Sequence, residues 1–229
     1  MPSPSPRPSV VRSAASRGGS SSHRTVVGLD LAGSPHRATG CCVLRTQRSL
    51  EVSVVGDDPE ILDTVIRARP ELVVIDAPLS LPRGRATIDD RSGPHFRECD
   101  RELRRLGIRF FPLTLGPMRM LTVRGMTLAG ALRRRGLEVL EGYPGGAQDL
   151  LGIPRKQAGV AKLQARLKRE GFGGPLRTRS LTHDELDAVT IAWVGQMYLR
   201  GAGQVIGDPS EGLMVLPRPR KAKFTYREA

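Results

Sequence analysis

Three aspartates stand in surroundings that make a negative charge costly. Asp30 lies inside the apolar stretch Thr25–Leu31 (TVVGLDL), and Asp76 closes the β-branched run Leu72–Ile75. Asp187 sits among Leu186, Ala188, Val189, Ile191, Ala192 and Trp193, which leave little polar face. If the strands bearing Asp30 and Asp76 are neighbours, a chain spacing of about 4.8 Å brings their carboxylates nearly into contact. Two unit charges about 4 Å apart repel by about 4 kcal/mol at an effective dielectric of roughly 20, and burial adds a desolvation cost. A shared proton offsets part of this, and a divalent cation offsets all of it. Hard oxygen ligands at this density suit Mg²⁺ or Mn²⁺. Two such ions, about 3.5–4 Å apart, hold the attacking and the leaving oxygen of a phosphodiester. The expected chemistry is therefore in-line attack by a metal-activated water, with Asp30 bridging two ions and Asp76 and Asp187 each holding one.

Further candidates surround this trio. Asp184 precedes Asp187 by three residues and shares its helix face, as a ligand or as simple support for the helix start. Glu141 reads as an outer or fourth ligand, or as the carboxylate opening a Tyr143-Pro144 turn. Lys156 either meets a phosphate or belongs to a solvated face, and His183 either moves a proton or belongs to the helix start. Each aspartate also has a bland reading: a strand-end turn for Asp30, a turn in Asp-Ala-Pro for Asp76, an arginine partner for Asp187. Their joint occurrence carries the functional reading.

The elements that must position these groups follow from apolar periodicity. Thr25–Leu31, Ala38–Arg45 and Leu50–Gly56 are tightly joined strands, hence antiparallel neighbours. Asp57 as N-cap and Pro59 in the first turn start a helix that runs to about Arg69. Leu72–Ile75 reads as a strand buried on both faces, as parallel strands are. Helices are expected near His95–Leu106, Met118–Arg135, Gln157–Glu170 and His183–Arg200, with a strand at Leu137–Leu140. Thr182 and Glu185 have the spacing of a capping box. Short apolar pieces at Gln204–Ile206 and Leu213–Leu216 close the body. The order is βββαβαβα, a meander followed by parallel strands reached through helices.

The chain of 229 residues is long enough for one substantial core. Its formal charge of +13 points to an anionic partner, but much of the excess is terminal. Residues 1–24 hold four arginines and no acid, and 217–229 hold five basic residues against Glu228. The body keeps 27 of the 36 basic and 22 of the 23 acidic residues, a net of +5. The division expected is a disordered Ser/Pro/Arg-rich tail over 1–24, one domain over 25–216 and a basic tail over 217–229. Within the body, Arg97, Arg101, Arg104 and Arg105 open a cationic stretch, either a phosphate-tracking surface for DNA or RNA or ordinary solvated helix faces. Aromatics are only 4%, which argues against extended base stacking and for recognition of shape or backbone. Three cysteines without metal-ligand spacing fit a reducing compartment, and no stretch approaches a membrane span or signal peptide, so a cytoplasmic protein is expected.

Six stretches, in order and spanning nearly the whole body, carry a family resemblance: VGLDLAGSP from Val27, VVIDAPLSLP from Val73, RECDRELRRLGI from Arg97, EGYPGGAQDLLGI from Glu141, DELDAVTIAW from Asp184 and IGDPSEGLMVLP from Ile206. On these the chain resembles domain of unknown function 429, a group of predicted nucleases in the RNase-H-like superfamily. The resemblance implies an RNase-H-like mixed five-stranded sheet flanked by helices, with Asp30, Asp76 and the Asp184/Asp187 pair as its acidic cluster. It also implies a nuclease that needs Mg²⁺ or Mn²⁺ and acts on nucleic acid. The Asp-x-x-Asp-Ala helix is similar to that of RuvC-type resolvases, where the second strand usually carries Glu rather than the Asp found here. Two other readings share the fold: a nucleic-acid-binding module without turnover, and an ATP-binding domain of the actin and sugar-kinase type. The latter pairs two such domains and wants glycine where Ala77-Pro78 follow Asp76.

Overall fold

Side-chain alternation along the first strand decides which residues face the site. In the computed structural model, which describes residues 24–219, β1 (Val26–Asp30) pairs antiparallel with β2 (Thr39–Leu44), and β2 with β3 (Leu50–Val55). Helix α1 (Asp58–Ala68) follows, with the Asp57 side chain accepting from the Glu60 amide as its N-cap and Pro59 in the first turn. It delivers the chain to β4 (Leu72–Asp76), parallel to β1 and in a register that sets Asp30 directly beside Asp76. The meander, the N-cap and the buried parallel strand are as the sequence leads one to expect.

Beyond β4 come α2 (Glu98–Arg105), α3 (Gly116–Arg134), β5 (Val139–Gly142), α4 (Pro144–Leu151), a 3₁₀ turn at Lys156–Ala158, α5 (Val160–Arg169), the short α6 (Pro175–Thr178) and α7 (His183–Leu199). The chain ends in a hairpin, β6 (Gly203–Asp208) and β7 (Gly212–Pro217). The mixed sheet therefore has seven strands, not five, in the order β3-β2-β1-β4-β5-β7-β6. The two apolar pieces that close the sequence are the extra strands: β7 lies parallel to β5 through Glu141–Met214 and Gly142–Val215, and β6 folds back beside it. Two helices, α4 and α6, are additional to those expected. The expected helix at 157–170 is divided at Gly159 into a 3₁₀ turn and α5, and β5 begins two residues later than expected, which puts Glu141 within the strand. The expected tails fall outside the described residues except at their inner ends. There, Arg24 donates to the Leu199 carbonyl, and Pro217 still belongs to β7.

Two apolar layers sandwich the sheet. Val27 and Leu29 of β1 and Val73 and Ile75 of β4 pack with Leu128, Ala129 and Leu132 of α3 and Ile61 and Val65 of α1. Val26, Leu72 and Val74, on the opposite face, pack under α7 with α4 and α5 outside it. Every residue of α7 from Glu185 to Gln196 is buried, so this helix is the centre of its layer. It lies on the sheet almost without side chains between: a Cβ at Gly28 would stand 2.8 Å from the Ala192 amide nitrogen. One at Gly40 would stand 2.5 Å from the Asp184 carbonyl carbon. Gly195 meets Val26, Gly28 meets Ala192, and Gly40, the register partner of Asp30, meets Asp184. Helix α7 thus runs antiparallel to β1, and its N-terminus arrives where β1 and β4 end. Among the described residues no helix is long and apolar enough to cross a membrane.

Candidate functional site

Alternation puts Asp30 and Asp76 on the same face as Val26, Leu72 and Val74, the face that α7 covers. The capping box predicted for α7 is formed, with Thr182 accepting from the Glu185 amide and Glu185 from the Thr182 amide. It fixes the helix start so that Asp184 and Asp187 face the strand ends. The helix dipole favours carboxylates at that end. Asp30, Asp76 and Asp187, far apart in sequence, thus line one cavity.

Each carboxylate is held differently. Asp30 and Asp76 are register partners on adjacent parallel strands, and their carboxyls lie close enough to perturb each other. Burial, then the neighbouring Asp76 and Asp187, raises the Asp30 carboxyl well above the ordinary carboxylate range. Burial and then Asp187 push Asp76 up to about 8, against the opposing influence of Lys156 and Asp30. Asp187, 2% exposed, accepts from Gln148 Nε2 at 2.8 Å and from Lys156 Nζ at 2.9 Å. On the far side of Asp30, His183 Nδ1 lies 2.5 Å from Asp184 Oδ1, and one ligand atom from each of Asp30, His183 and Asp184 lies within 4.8 Å of the others. Asp30 is therefore shared by two groups, Asp76 with Asp187 and His183 with Asp184. Its Oδ2 is buried without a hydrogen-bond partner.

Glu141 takes a different part. Both of its oxygens are engaged by Arg97, at 2.5 and 2.8 Å, and one also accepts from the Leu79 amide at 2.9 Å. Burial raises its carboxyl and Arg97 opposes this. Arg97, itself 2% exposed, is also held by Asp100 at 2.9 Å. Glu141 and Arg97 thus form a buried ionic wall of the cavity. Arg97 is removed from the surface patch expected of it, because Asp100, three residues on, and Glu141, distant in sequence, enclose its guanidinium. Arg101 and Arg105 are on the surface and both pair with Glu98, and Arg104 covers the Phe96 ring at 4.9 Å.

A family model described as "Protein of unknown function (DUF429)" matches residues 28–212. The chain belongs to this family. No curated protein and no solved structure matches it. The DUF429 span contains all four aspartates of the cluster together with Glu141, Lys156 and His183. In this DUF429 chain, two groups of the site carry little sequence signal. Gln148 belongs to α4, whose start at Pro144 is followed by two glycines, although Pro at the first position and Gly152 after the last mark its ends. The 3₁₀ turn that presents Lys156 is only three residues long.

Proposed function

We propose that this protein is a divalent-metal-dependent nuclease, hydrolysing a nucleic-acid phosphodiester on an RNase-H-like domain. The observation that carries the reading is the shared, partly unsatisfied position of Asp30, whose Oδ2 is buried and unpartnered beside Asp76 and between two groups of potential ligands. A buried carboxylate oxygen left without a donor is costly, and a cation is the partner that satisfies it. Charge supports the same conclusion. Four carboxylates converge, Lys156 is the one cation among the described residues in salt-bridge contact with Asp30, Asp76 or Asp187, and a dication offsets most of the surplus. Carboxylate oxygens suit Mg²⁺ or Mn²⁺, and the imidazole of His183 favours Mn²⁺ of the two. The residues that would hold the metal are Asp30, Asp76, Asp184 and Asp187, with His183 beside Asp184. When bound, the ion supplies Lewis-acid polarisation of the phosphoryl oxygens.

The remaining groups have roles that follow from their positions. Gln148 orients Asp187, and Lys156, which lines the cavity, attracts the substrate phosphate. His183, exposed and hydrogen-bonded to Asp184, is placed to exchange a proton with solvent. The meander followed by the parallel β4 and β5, with α7 along one sheet face and its N-terminus at the strand ends, supports the RNase-H-like assignment, to which the β6–β7 hairpin is an addition. The test is a cleavage panel of labelled DNA and RNA, as single strands, duplexes and junctions, in Mg²⁺ and in Mn²⁺. Wild type should cleave at least one substrate, and Asp30→Asn should abolish that cleavage while keeping the wild-type circular dichroism spectrum. Unchanged cleavage by the variant refutes the assignment.

A further inference from the structure

The carboxylates do not lie on an open surface. Asp30, Asp76 and Asp187 line a cavity of about 320 Å³, within the range of pockets that enclose a small ligand. One wall is apolar and aromatic, formed by Phe110, Phe111, Met118, Leu121 and Tyr143. The Tyr143 hydroxyl donates to the Arg109 carbonyl at 2.5 Å, which fastens the loop bearing the two phenylalanines to the start of α4. Phe110 is held edge-on by Phe96, whereas Phe111 is 70% exposed and has no aromatic partner among the described residues. Lys156 and Arg155 also line the cavity, the first paired with Asp187 at 2.9 Å and the second with Asp149 at 2.5 Å and 5.9 Å above the Tyr143 ring.

Resting on the nuclease reading above, we infer that the cavity accepts one unpaired nucleotide, its base against the Phe111 wall and its phosphate facing the carboxylate cluster. A nucleotide joins a flat π face to an anionic group, and the cavity joins an apolar aromatic wall to a carboxylate cluster that would hold a dication facing that anion. Bases in an intact duplex have their faces stacked on one another and must be extruded before a pocket can hold them. The preferred substrate is therefore a strand end or a single strand, because a closed duplex must first unstack and unpair a base at a cost in free energy. The scarcity of aromatics along the chain is compatible with this, because a single base needs a single platform, and three of the chain's eight Phe and Tyr residues line this cavity. Stacking on such a platform is tolerant of base identity.

The test uses the full-length protein and two probes without a phosphodiester, deoxyadenosine 5′-monophosphate and deoxyribose 5-phosphate. Their binding is measured by calorimetry in Mn²⁺. The nucleotide should bind about tenfold or more tightly than the sugar phosphate, and Phe111→Ala should remove that advantage. Phe111 is largely exposed, so its replacement leaves the core intact, and the variant's melting temperature should be unchanged. Equal binding of the two probes, or an advantage that survives Phe111→Ala, overturns the inference. Cleavage of one sequence as a single strand and as a closed circular duplex separates the two claims. Equal cleavage of both forms sinks the unpaired-nucleotide inference but leaves the nuclease reading standing. Base-dependent binding without cleavage of any substrate leaves a nucleotide site and sinks the nuclease reading.

Discussion

Lys156 occupies a place where a metal ion and an ammonium compete, so its removal should move two properties in opposite directions. Its Nζ lies 2.9 Å from Asp187 Oδ2, and the lysine side chain is 37% exposed. At that separation the gross attraction is about 6 kcal/mol for an effective dielectric of roughly 20. Solvent at the exposed ammonium and the desolvation of both charges reduce the net effect to about 1–2 kcal/mol. In Lys156→Met the metal-free protein should lose that stability at neutral pH, which for a domain of this size lowers the melting temperature by about 2–6 °C. A dication no longer displaces an ammonium from Asp187, so Mn²⁺ should bind about tenfold more tightly, the equivalent of about 1.4 kcal/mol. The assay is differential scanning fluorimetry over an Mn²⁺ titration. A melting temperature lowered without metal and a larger rise with metal support the account. An unchanged metal-free transition, or weaker Mn²⁺ binding, refutes it.

Three other outcomes follow from the same geometry. Gly40→Ala brings a Cβ to 2.5 Å from the Asp184 carbonyl carbon, so the start of α7 must retreat by about an ångström. Cleavage should fall about a hundredfold, because a misplacement of that size disables a catalytic site, while denaturant titration shows a loss of only about 1–3 kcal/mol. Arg97→Met leaves Glu141 and Asp100 buried without their cation and should cost about 3–5 kcal/mol by urea unfolding, and a cost below 1 kcal/mol means the buried ionic wall is misread. The raised carboxyls give a signed pH dependence. Asp76, pushed up to about 8, holds a proton in the folded state that an unfolded carboxyl releases near pH 4. Its stabilisation of the metal-free fold is therefore present at pH 4 and lost as pH rises toward 8. Asp76→Asn should gain on wild type across that window in thermal melts, and a gap independent of pH contradicts the assigned environment.

What the sequence reveals follows from how local each signal is. The TVVGLDL and LVVID runs mark β1 and β4 because strands buried on both faces are apolar throughout, and a single aspartate at the end of each is conspicuous. The capping box Thr182–Glu185, which includes Asp184 and precedes Asp187, is likewise written in four residues. By contrast, β7 joins the sheet through two register pairs to a strand some 70 residues earlier, and no short-range pattern records such a pairing. Helix α4 hides behind Gly145 and Gly146, so Gln148 is not visible as a partner of Asp187. Arginines are equally opaque: Arg97, Arg101 and Arg105 look alike along α2, yet the first is enclosed by Glu141 and Asp100 while the others pair on the surface with Glu98. Charge type and near neighbours are local information, but Glu141, the distant partner that draws Arg97 into the interior, is not.

The central claim is that the carboxylates around Asp30 take a divalent cation. Calorimetric titration of the full-length protein with Mn²⁺ at pH 8, wild type against Asp30→Asn, tests it most directly. Wild type should show saturable binding that the variant lacks, while the metal-free variant melts at the same temperature or higher because a buried repulsion has been relieved. No saturable heat in the wild type, or the same binding in Asp30→Asn, contradicts the claim.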